Sequence, residues 1–209
     1  DVLAMVGSRD YFDQSIDGQV NVTLEKRQPG SAFKPFAYAT AFEKGYQPET
    51  PIDDHQINFG PDGSGHDYIP QNYDGKFHGL MTMRQALAMS LNVPAVQTLR
   101  LAGISDTIDL ATSLGITTLT DPKRYGLSLV LGGAEVRPID MANAFSVFGQ
   151  EGYTHPTNSI AKIIDRSGQE VAFREPVEKK KVLDTEVARK INSILSDNAA
   201  RTPIFGPRS

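Results

Sequence analysis

The chain has 209 residues, which is enough for one sizeable hydrophobic core. Its 21 basic and 25 acidic residues give a net charge of −4 with no long basic run, which makes nucleic acid a poor candidate partner. The absence of cysteine excludes disulfides and thiolate metal sites, and the four histidines lack metal-ligand spacing, so we expect neither a metal nor a cofactor.

The hydrophobic patterns of two N-terminal segments predict strands. Residues 2–6 are short and continuously apolar, which predicts a buried strand. Val20, Val22 and Leu24 alternate with polar residues, which predicts a half-buried strand or an extended approach to the following turn. The chain opens inside an apolar run and closes in a turn-rich segment, so we expect flanking segments outside it. No stretch reaches the roughly 20 apolar residues of a membrane span.

Helical periodicity begins directly after the Pro29-Gly30 turn. Residues 31–44 repeat apolar side chains at helical spacing, and Gly45 is suited to end that helix. Residues 46–80 have no clear period and are rich in Gly, Pro, Asp and Asn. A long irregular stretch of this kind in a compact domain is usually functional or disordered.

The rest of the chain is mostly helical. Thr82 and Gln85 fit a capping box, and Asp184 is suited to cap the last helix. We predict helices at 82–89, 94–103, 105–114 and 138–148, and a β-hairpin that joins 160–164 to 171–173. Helices lie between strands at the two ends, which suits a sheet built from distant segments with a helical lobe inserted.

A serine and a lysine stand three residues apart where the first helix begins. On a helix, positions i and i+3 share one face, so the Lys34 amine can lie over the Ser31 hydroxyl. A serine hydroxyl becomes a good nucleophile when a base removes its proton, and a buried lysine can be that base. Gly30 lets the backbone approach a substrate closely, and the helix N-terminus can stabilise an oxyanion. Alone, this pattern is more typical of a serine cap followed by a solvated lysine.

A second polar triplet, Ser90-Leu91-Asn92, lies at the end of a predicted helix. Alone it is typical of a helix C-terminus with Asn92 in a turn. A second hydroxyl can also relay a proton between the lysine and a leaving group, and an amide can hold a substrate or the lysine. The ordered combination of S-x-x-K and S-x-N, about 60 residues apart, is far more specific than either motif.

Four longer strings bear a family resemblance. They are RQPGSAFKP (27–35), QNYDGKFHG (71–79), SLNVPAV (90–96) and LGGAEV (131–136). In this order the chain resembles the transpeptidase domain of penicillin-binding proteins, in particular the bifunctional class A type. The resemblance implies an α/β (α+β) fold of the β-lactamase/transpeptidase type. In that fold, helices pack an antiparallel central sheet, with an all-helical lobe at roughly 31–150.

The resemblance also implies roles for individual residues. Ser31 would attack the penultimate D-alanine carbonyl of a peptidoglycan stem peptide, and Lys34 would take its proton. Ser90 would pass a proton to the departing D-alanine, while Asn92, Gly30 and Tyr73 would bind substrate. An amine from a second stem peptide would resolve the acyl-enzyme, and β-lactams would acylate Ser31 covalently. The family implies an extracytoplasmic location and a membrane anchor outside this chain.

The chain departs from the family at the third motif, Lys-Thr/Ser-Gly, which is absent. Residues 1–209 would then be the larger N-terminal part of the domain, with an incomplete sheet whose remaining strands lie beyond residue 209. Three explanations fit: a nicked protein with a complementary fragment carrying the motif, the ordered part of a longer chain, or an inactive relative. The intact first and second motifs favour the first two.

Two other functions remain open. A D,D-carboxypeptidase or β-lactamase would share the fold and the serine, but a β-lactamase of class A needs a glutamate in an E-x-x-L-N string, which is absent. A scaffold module with a dead site would keep the fold without acylation.

Overall fold

The computed structural model describes residues 2–61, 65–157, 159–160, 162–171 and 179–207. The helices of this described part are α1 (Lys34–Glu43), α2 (Met83–Ala88), α3 (Asn92–Ala102), α4 (Ile104–Ser113), α5 (Pro138–Gly149), α6 (Thr185–Leu195) and α7 (Asn198–Phe205). The strands are β1 (Pro51–Asp54), β2 (Gly79–Thr82), β3 (Tyr153–Thr154), β4 (Ile163–Ile164), β5 (Glu170–Val171) and β6 (Lys180–Lys181). Among these helices, none combines the length and apolar character that a membrane span requires.

Helix α1 is the centre of the core. Residues 34–42 are all buried, because apolar side chains cover the whole circumference of the helix rather than one stripe. Helices α2, α3, α4 and α6 all contact it. A residue in the first turn of α1 is therefore fixed on a helix that four other helices contact.

The structure confirms three predicted helix boundaries that rest on local capping chemistry, whereas the helix predicted from Pro94 begins at Asn92, and α7 extends into the end of the chain that the sequence indicates as turn-rich. The α1 helix ends in a Schellman motif: Gly45 has φ +97°, Gly45 N donates to Phe42 O, and Tyr46 N donates to Ala41 O. Thr82 and Gln85 form the reciprocal capping box of α2. Asp184 accepts a hydrogen bond from Glu186 N at the start of α6.

The described residues form three separate two-stranded antiparallel ladders: β1 with β2, β3 with β6, and β4 with β5. The β1–β2 ladder pairs Pro51 with Thr82 and Asp54 with Gly79. It closes the stretch 46–80, for which the sequence predicted no regular element. The β4–β5 ladder confirms the predicted hairpin in shorter form; residues 172 and 173 of its second arm lie outside the described residues.

The prediction of a buried strand at residues 2–6 is wrong. These residues make no ladder, and Leu3 and Val6 are 96% and 74% exposed. A strand forms only when its backbone groups pair with a neighbour, and no described segment pairs with this one. Its apolar side chains instead border a cavity of about 550 Å³ against α5.

The prediction of a strand through Val20, Val22 and Leu24 is also wrong. The segment forms turns and leaves these three side chains 40–49% exposed. Asn21 is the local cause, because its Oδ1 accepts hydrogen bonds from Thr23 N and Thr23 Oγ1 at 3.1 and 2.6 Å. This side-chain turn competes with the extended backbone that an alternating pattern favours.

Candidate active site

Ser31 lies in a 3₁₀ turn, Gly30–Phe33, that runs directly into α1. Gly30 has φ +57°, a left-handed conformation that glycine adopts without strain. Ser31 is exposed, whereas Phe33 and Lys34 are buried. The turn therefore presents the serine to solvent on a segment whose other end is fixed in the core.

The backbone of Gly132 packs directly on this turn. A Cβ atom at position 132 would lie 2.3 Å from Gly30 N, and Gly132 itself has φ +93°. Arg27 and Val136 form a two-way backbone bridge beside the contact, at 2.8 and 2.9 Å. The sequence string at 131–136 thus supplies the backbone support of the Ser31 turn.

Replacing Gly132 with alanine is expected to displace the Ser31 turn. The new Cβ would meet backbone, which cannot rotate away, at a φ that alanine rarely adopts. We expect a loss of about 3 kcal/mol in the free energy of unfolding, measured by chemical denaturation. Gly126→Ala is the matched control, because a Cβ there meets nothing within 4 Å and φ is −108°. Equal stabilities of the two variants would contradict the close contact.

Lys34 is the first residue of α1 and is only 1% exposed. Its Nζ donates hydrogen bonds to Ser90 O at 2.6 Å, Ser90 Oγ at 3.2 Å and Asn92 Oδ1 at 2.8 Å. Burial of the amine lowers its pKa from 10.5 to about 7, because the charged form loses its hydration. A large neutral fraction therefore exists near neutral pH, as a general base requires.

Ser90 lies at the C-terminus of α2 with φ +55°. Ser90 N donates to Leu87 O and Leu91 N donates to Ala86 O, both at 3.0 Å, which is a Schellman motif. The serine occupies the position where such motifs usually have glycine. This turn aims both the carbonyl and the hydroxyl of Ser90 at Lys34.

The orientation of the Asn92 amide is fixed by its neighbours. Asn92 Nδ2 donates to Gln71 O at 2.8 Å, and Asn92 Oδ1 accepts from Lys34 Nζ. An amide has one acceptor end and one donor end, so the Gln71 carbonyl directs the oxygen toward the lysine. Asn92 is therefore a fixed acceptor for the Lys34 amine.

A buried polar cluster supports this arrangement, and sequence reasoning did not find it. Asp54 is fully buried and accepts hydrogen bonds from Asn72 Nδ2 and from His78 N. Asp74 Oδ2 lies 3.1 Å from His78 Nε2, and a hydrogen bond from Lys76 N lowers the pKa of Asp74. Asn72 and His78 lie in the string 71–79, whereas nothing in the sequence around Asp54 singled it out.

The structure brings together four of the six predicted site residues. Lys34 contacts Ser90 and Asn92, and Ser31 shares with Ser90 a cleft of about 320 Å³. Phe145, Leu195 and Phe205 also line that cleft. All three Lys34 hydrogen bonds go to Ser90 and Asn92, and within the described part none joins Lys34 to Ser31.

The other two predicted site residues have different surroundings. Gly30 precedes Ser31, and one side of its backbone is covered by Gly132. Tyr73 follows the buried Asn72, but its own side chain is fully exposed, at 100%. Tyr73 therefore projects into solvent, while its neighbour Asn72 in the same loop accepts a hydrogen bond from Asn92 N.

This chain belongs to the penicillin-binding protein transpeptidase domain family, whose model matches residues 1–203. It is 36% identical over 188 residues to penicillin-binding protein 2D of Bacillus subtilis (strain 168), covering 90% of this chain and 26% of that protein. It is 35% identical over 179 residues to penicillin-binding protein 1A of Neisseria meningitidis serogroup A, covering 84% and 22%. The chain thus spans about a quarter of the length of these relatives.

Solved structures agree on the fold. Penicillin-binding protein 1A from Haemophilus influenzae matches with a TM-score of 0.77 and 25% identity, over 88% of this chain and 31% of that one. Penicillin-binding protein A from Mycobacterium tuberculosis matches with a TM-score of 0.76 and 17% identity, over 92% and 48%. The second likeness concerns the fold alone. Together with the mixture of helices and short antiparallel strands, these matches confirm the predicted α/β fold of a transpeptidase domain.

Proposed function

We propose that this chain carries the nucleophilic half of a serine D,D-transpeptidase that cross-links peptidoglycan. The observation that supports this most directly is the buried Lys34 amine, whose pKa of about 7 suits a base and whose position is fixed by Ser90 and Asn92. A solvated lysine after a helix cap, the other interpretation of the motif, would be exposed. Family membership supports peptidoglycan stem peptides as the substrate class.

The proposed acylation step uses three side chains. Neutral Lys34 takes the Ser31 Oγ proton while Oγ bonds to the carbonyl carbon of the penultimate D-alanine. The tetrahedral intermediate then collapses, the C–N bond to the last D-alanine breaks, and Ser90 Oγ–H gives that nitrogen a proton which the Lys34 ammonium replaces. Ser31 is left as an ester, and the D-alanine leaves as a neutral amine.

The second half of the reaction would return the enzyme to its starting state. An amine of a second stem peptide attacks the Ser31 ester, forms the new amide and gives up one proton to neutral Lys34 through Ser90 Oγ. Ser31 Oγ leaves with a proton supplied through Lys34 and Ser90. A β-lactam in the same position opens its four-membered ring onto Ser31 Oγ, and its amine remains tethered in the site.

The proposal extends to partners and place. A complementary C-terminal segment that carries Lys-Thr/Ser-Gly would bind the substrate carboxylate and supply the second N–H group of the oxyanion hole. The stem peptide would lie in the cleft beside Ser31, with Asn92 and Tyr73 on its path. An enzyme acting on this polymer would work at the extracytoplasmic face of the cell membrane, held by an anchor outside this chain.

Peptide mapping after penicillin treatment tests the proposal. The full-length protein is incubated with benzylpenicillin, digested with trypsin and analysed by tandem mass spectrometry. Trypsin does not cut before Pro35, so the informative peptide covers residues 28–44. We expect the adduct on this peptide, at Ser31. An adduct on another peptide would contradict the assignment of Ser31 as nucleophile, and no adduct would contradict the enzyme and leave the scaffold function.

Product analysis separates the transferase from the hydrolase. The full-length protein is given a stem-peptide substrate with and without an amine acceptor. We expect cross-linked product in its presence. Release of D-alanine with only shortened peptide would instead assign a D,D-carboxypeptidase.

A further inference from the structure

We propose that Asn72 is a positioning residue for the acylation base: it fixes the start of α3 and, through Asn92, holds Lys34. The proposal rests on the function proposed above. Asn72 does not touch the Lys34 amine. It acts through hydrogen bonds whose donor and acceptor can be exchanged by mutation.

The Asn72 side chain uses both ends of its amide. Its Oδ1 accepts hydrogen bonds from Asn92 N at 2.8 Å and Val93 N at 3.3 Å. Its Nδ2 donates to the Asp54 carboxylate at 2.8 and 2.9 Å and to Lys76 O at 2.8 Å. Asn72 is only 5% exposed, so water cannot replace these partners without an opening of the loop.

The Oδ1 end of the Asn72 amide replaces a side-chain cap that α3 lacks. The first N–H groups of a helix lack partners within the helix, and Leu91 at the N-cap of α3 gives no side-chain hydrogen bond. Asn72, twenty residues earlier, supplies the acceptor to Asn92 N and Val93 N. It therefore sets where the backbone of Asn92 lies.

The contact of Asn72 Nδ2 with Asp54 fixes which way the Asn72 amide points. Asp54 is fully buried, and its other hydrogen bonds come from His78 N at 2.9 Å and His78 Nδ1 at 2.8 Å. A carboxylate accepts only, so the Asn72 Nδ2 must face it and Oδ1 must face α3. The β1–β2 ladder holds Asp54 opposite Gly79, beside His78.

The loop contributes a second contact to the same residue. Gln71 O accepts from Asn92 Nδ2, and Asn72 Oδ1 accepts from Asn92 N, both at 2.8 Å. Two adjacent loop residues thus fix both the backbone and the side chain of Asn92. The remaining Asn92 oxygen is left to Lys34, so a shift of the loop displaces one of the three acceptors of the base.

The decisive experiment exchanges the hydrogen-bond donor and acceptor between positions 54 and 72. Asn72→Asp places a second carboxylate within 3 Å of Asp54, and the repulsion pushes the loop away from α3. We expect the rate of the chemical acylation step by benzylpenicillin in the full-length protein to fall about 100-fold, with little change in the initial binding constant. The double variant Asp54→Asn with Asn72→Asp restores a donor facing an acceptor between these two positions, while Lys76 O loses its donor, which makes the expected recovery incomplete. We expect it to return to within about 10-fold of the wild-type rate.

Stability is separated from positioning by a control on the same helix. Thr98 is fully buried in α3, and its hydroxyl donates to Pro94 O rather than toward Lys34. We expect Thr98→Val to lower the unfolding free energy without lowering the acylation rate. Asn72→Ser, which adds no charge, is used if Asn72→Asp is not recovered folded, and the same loss of rate is expected.

Two results would overturn the proposal: folded Asn72→Asp and Asn72→Ser that acylate at the wild-type rate, or a folded double variant no faster than Asn72→Asp alone. A wild-type protein that penicillin does not label would instead contradict the proposed function. In that event the Lys34 titration, followed by NMR at its Cε, still decides. We expect its midpoint to move in Asn72→Ser, which changes no charge, so that the shift reports the displaced acceptor; an unchanged midpoint in this variant would refute positioning.

Discussion

Penicillin labelling is expected to disappear completely when Ser31 is replaced by alanine. The Ser31 hydroxyl, exposed in the turn before α1, is the group that would form the ester. Ser90 Oγ, the other hydroxyl that lines the cleft in the described part of the chain, is hydrogen-bonded to Lys34 and would relay the proton instead. Ala32 is also exposed and lines the cleft. The double variant Ser31→Ala with Ala32→Ser therefore keeps a serine in the turn while moving it by one residue.

Intact-mass spectrometry of the full-length protein measures this effect directly. We expect the wild type to gain the mass of one penicillin and both variants to gain none. Labelling of Ser31→Ala would assign the nucleophile to another residue. Labelling of the double variant alone would show that the turn tolerates a shift in the position of the attacking oxygen.

Replacing Lys34 with methionine is expected to slow acylation by about 10²–10⁴-fold, the range that a positioned general base contributes. Methionine fills a similar buried volume, so the core around α1 is kept while the amine is lost. Stopped-flow or quenched acylation by benzylpenicillin gives the rate. A rate within a few-fold of wild type would place the base elsewhere.

The same lysine predicts a pH dependence with a definite sign. Because its pKa is about 7, the wild-type acylation rate should fall below about pH 7 as the amine becomes protonated. Lys34→Met should lack this acid limb. The pKa of Lys34 is lower in the folded state, so its unfavourable contribution to stability is complete below about pH 7 and vanishes as pH rises toward 10.5. The difference in unfolding free energy between wild type and Lys34→Met should therefore shrink over that range.

Local chemistry explains why some elements could be predicted from sequence. The Thr82–Gln85 capping box, the Asp184 cap and the Gly45 terminus each involve residues within a few positions of one another. The Ser31–Lys34 pair is also local, and it lies where helical periodicity begins. Burial of Lys34 could not be predicted from its own segment, because the partners Ser90 and Asn92 come from more than 50 residues away.

The incorrect and missed elements depended on distant partners. Apolar residues at 2–6 form no ladder because a strand is defined by its neighbour and not by its own pattern. β1 and β2 were missed because their short sequences become strands only by meeting each other. The cluster of Asp54, Asn72 and His78 likewise joins three points of a stretch that has no periodicity.

The glycine-like position of Ser90 has an evolutionary consequence. A non-glycine residue in this conformation costs about 1–2 kcal/mol, but Ser90→Gly would also remove a hydroxyl that accepts a hydrogen bond from the buried Lys34 amine. The two effects on the free energy of unfolding oppose each other, so stability alone does not select between serine and glycine at this position. On the mechanism proposed above only the serine can relay a proton, so selection on turnover decides which residue is kept.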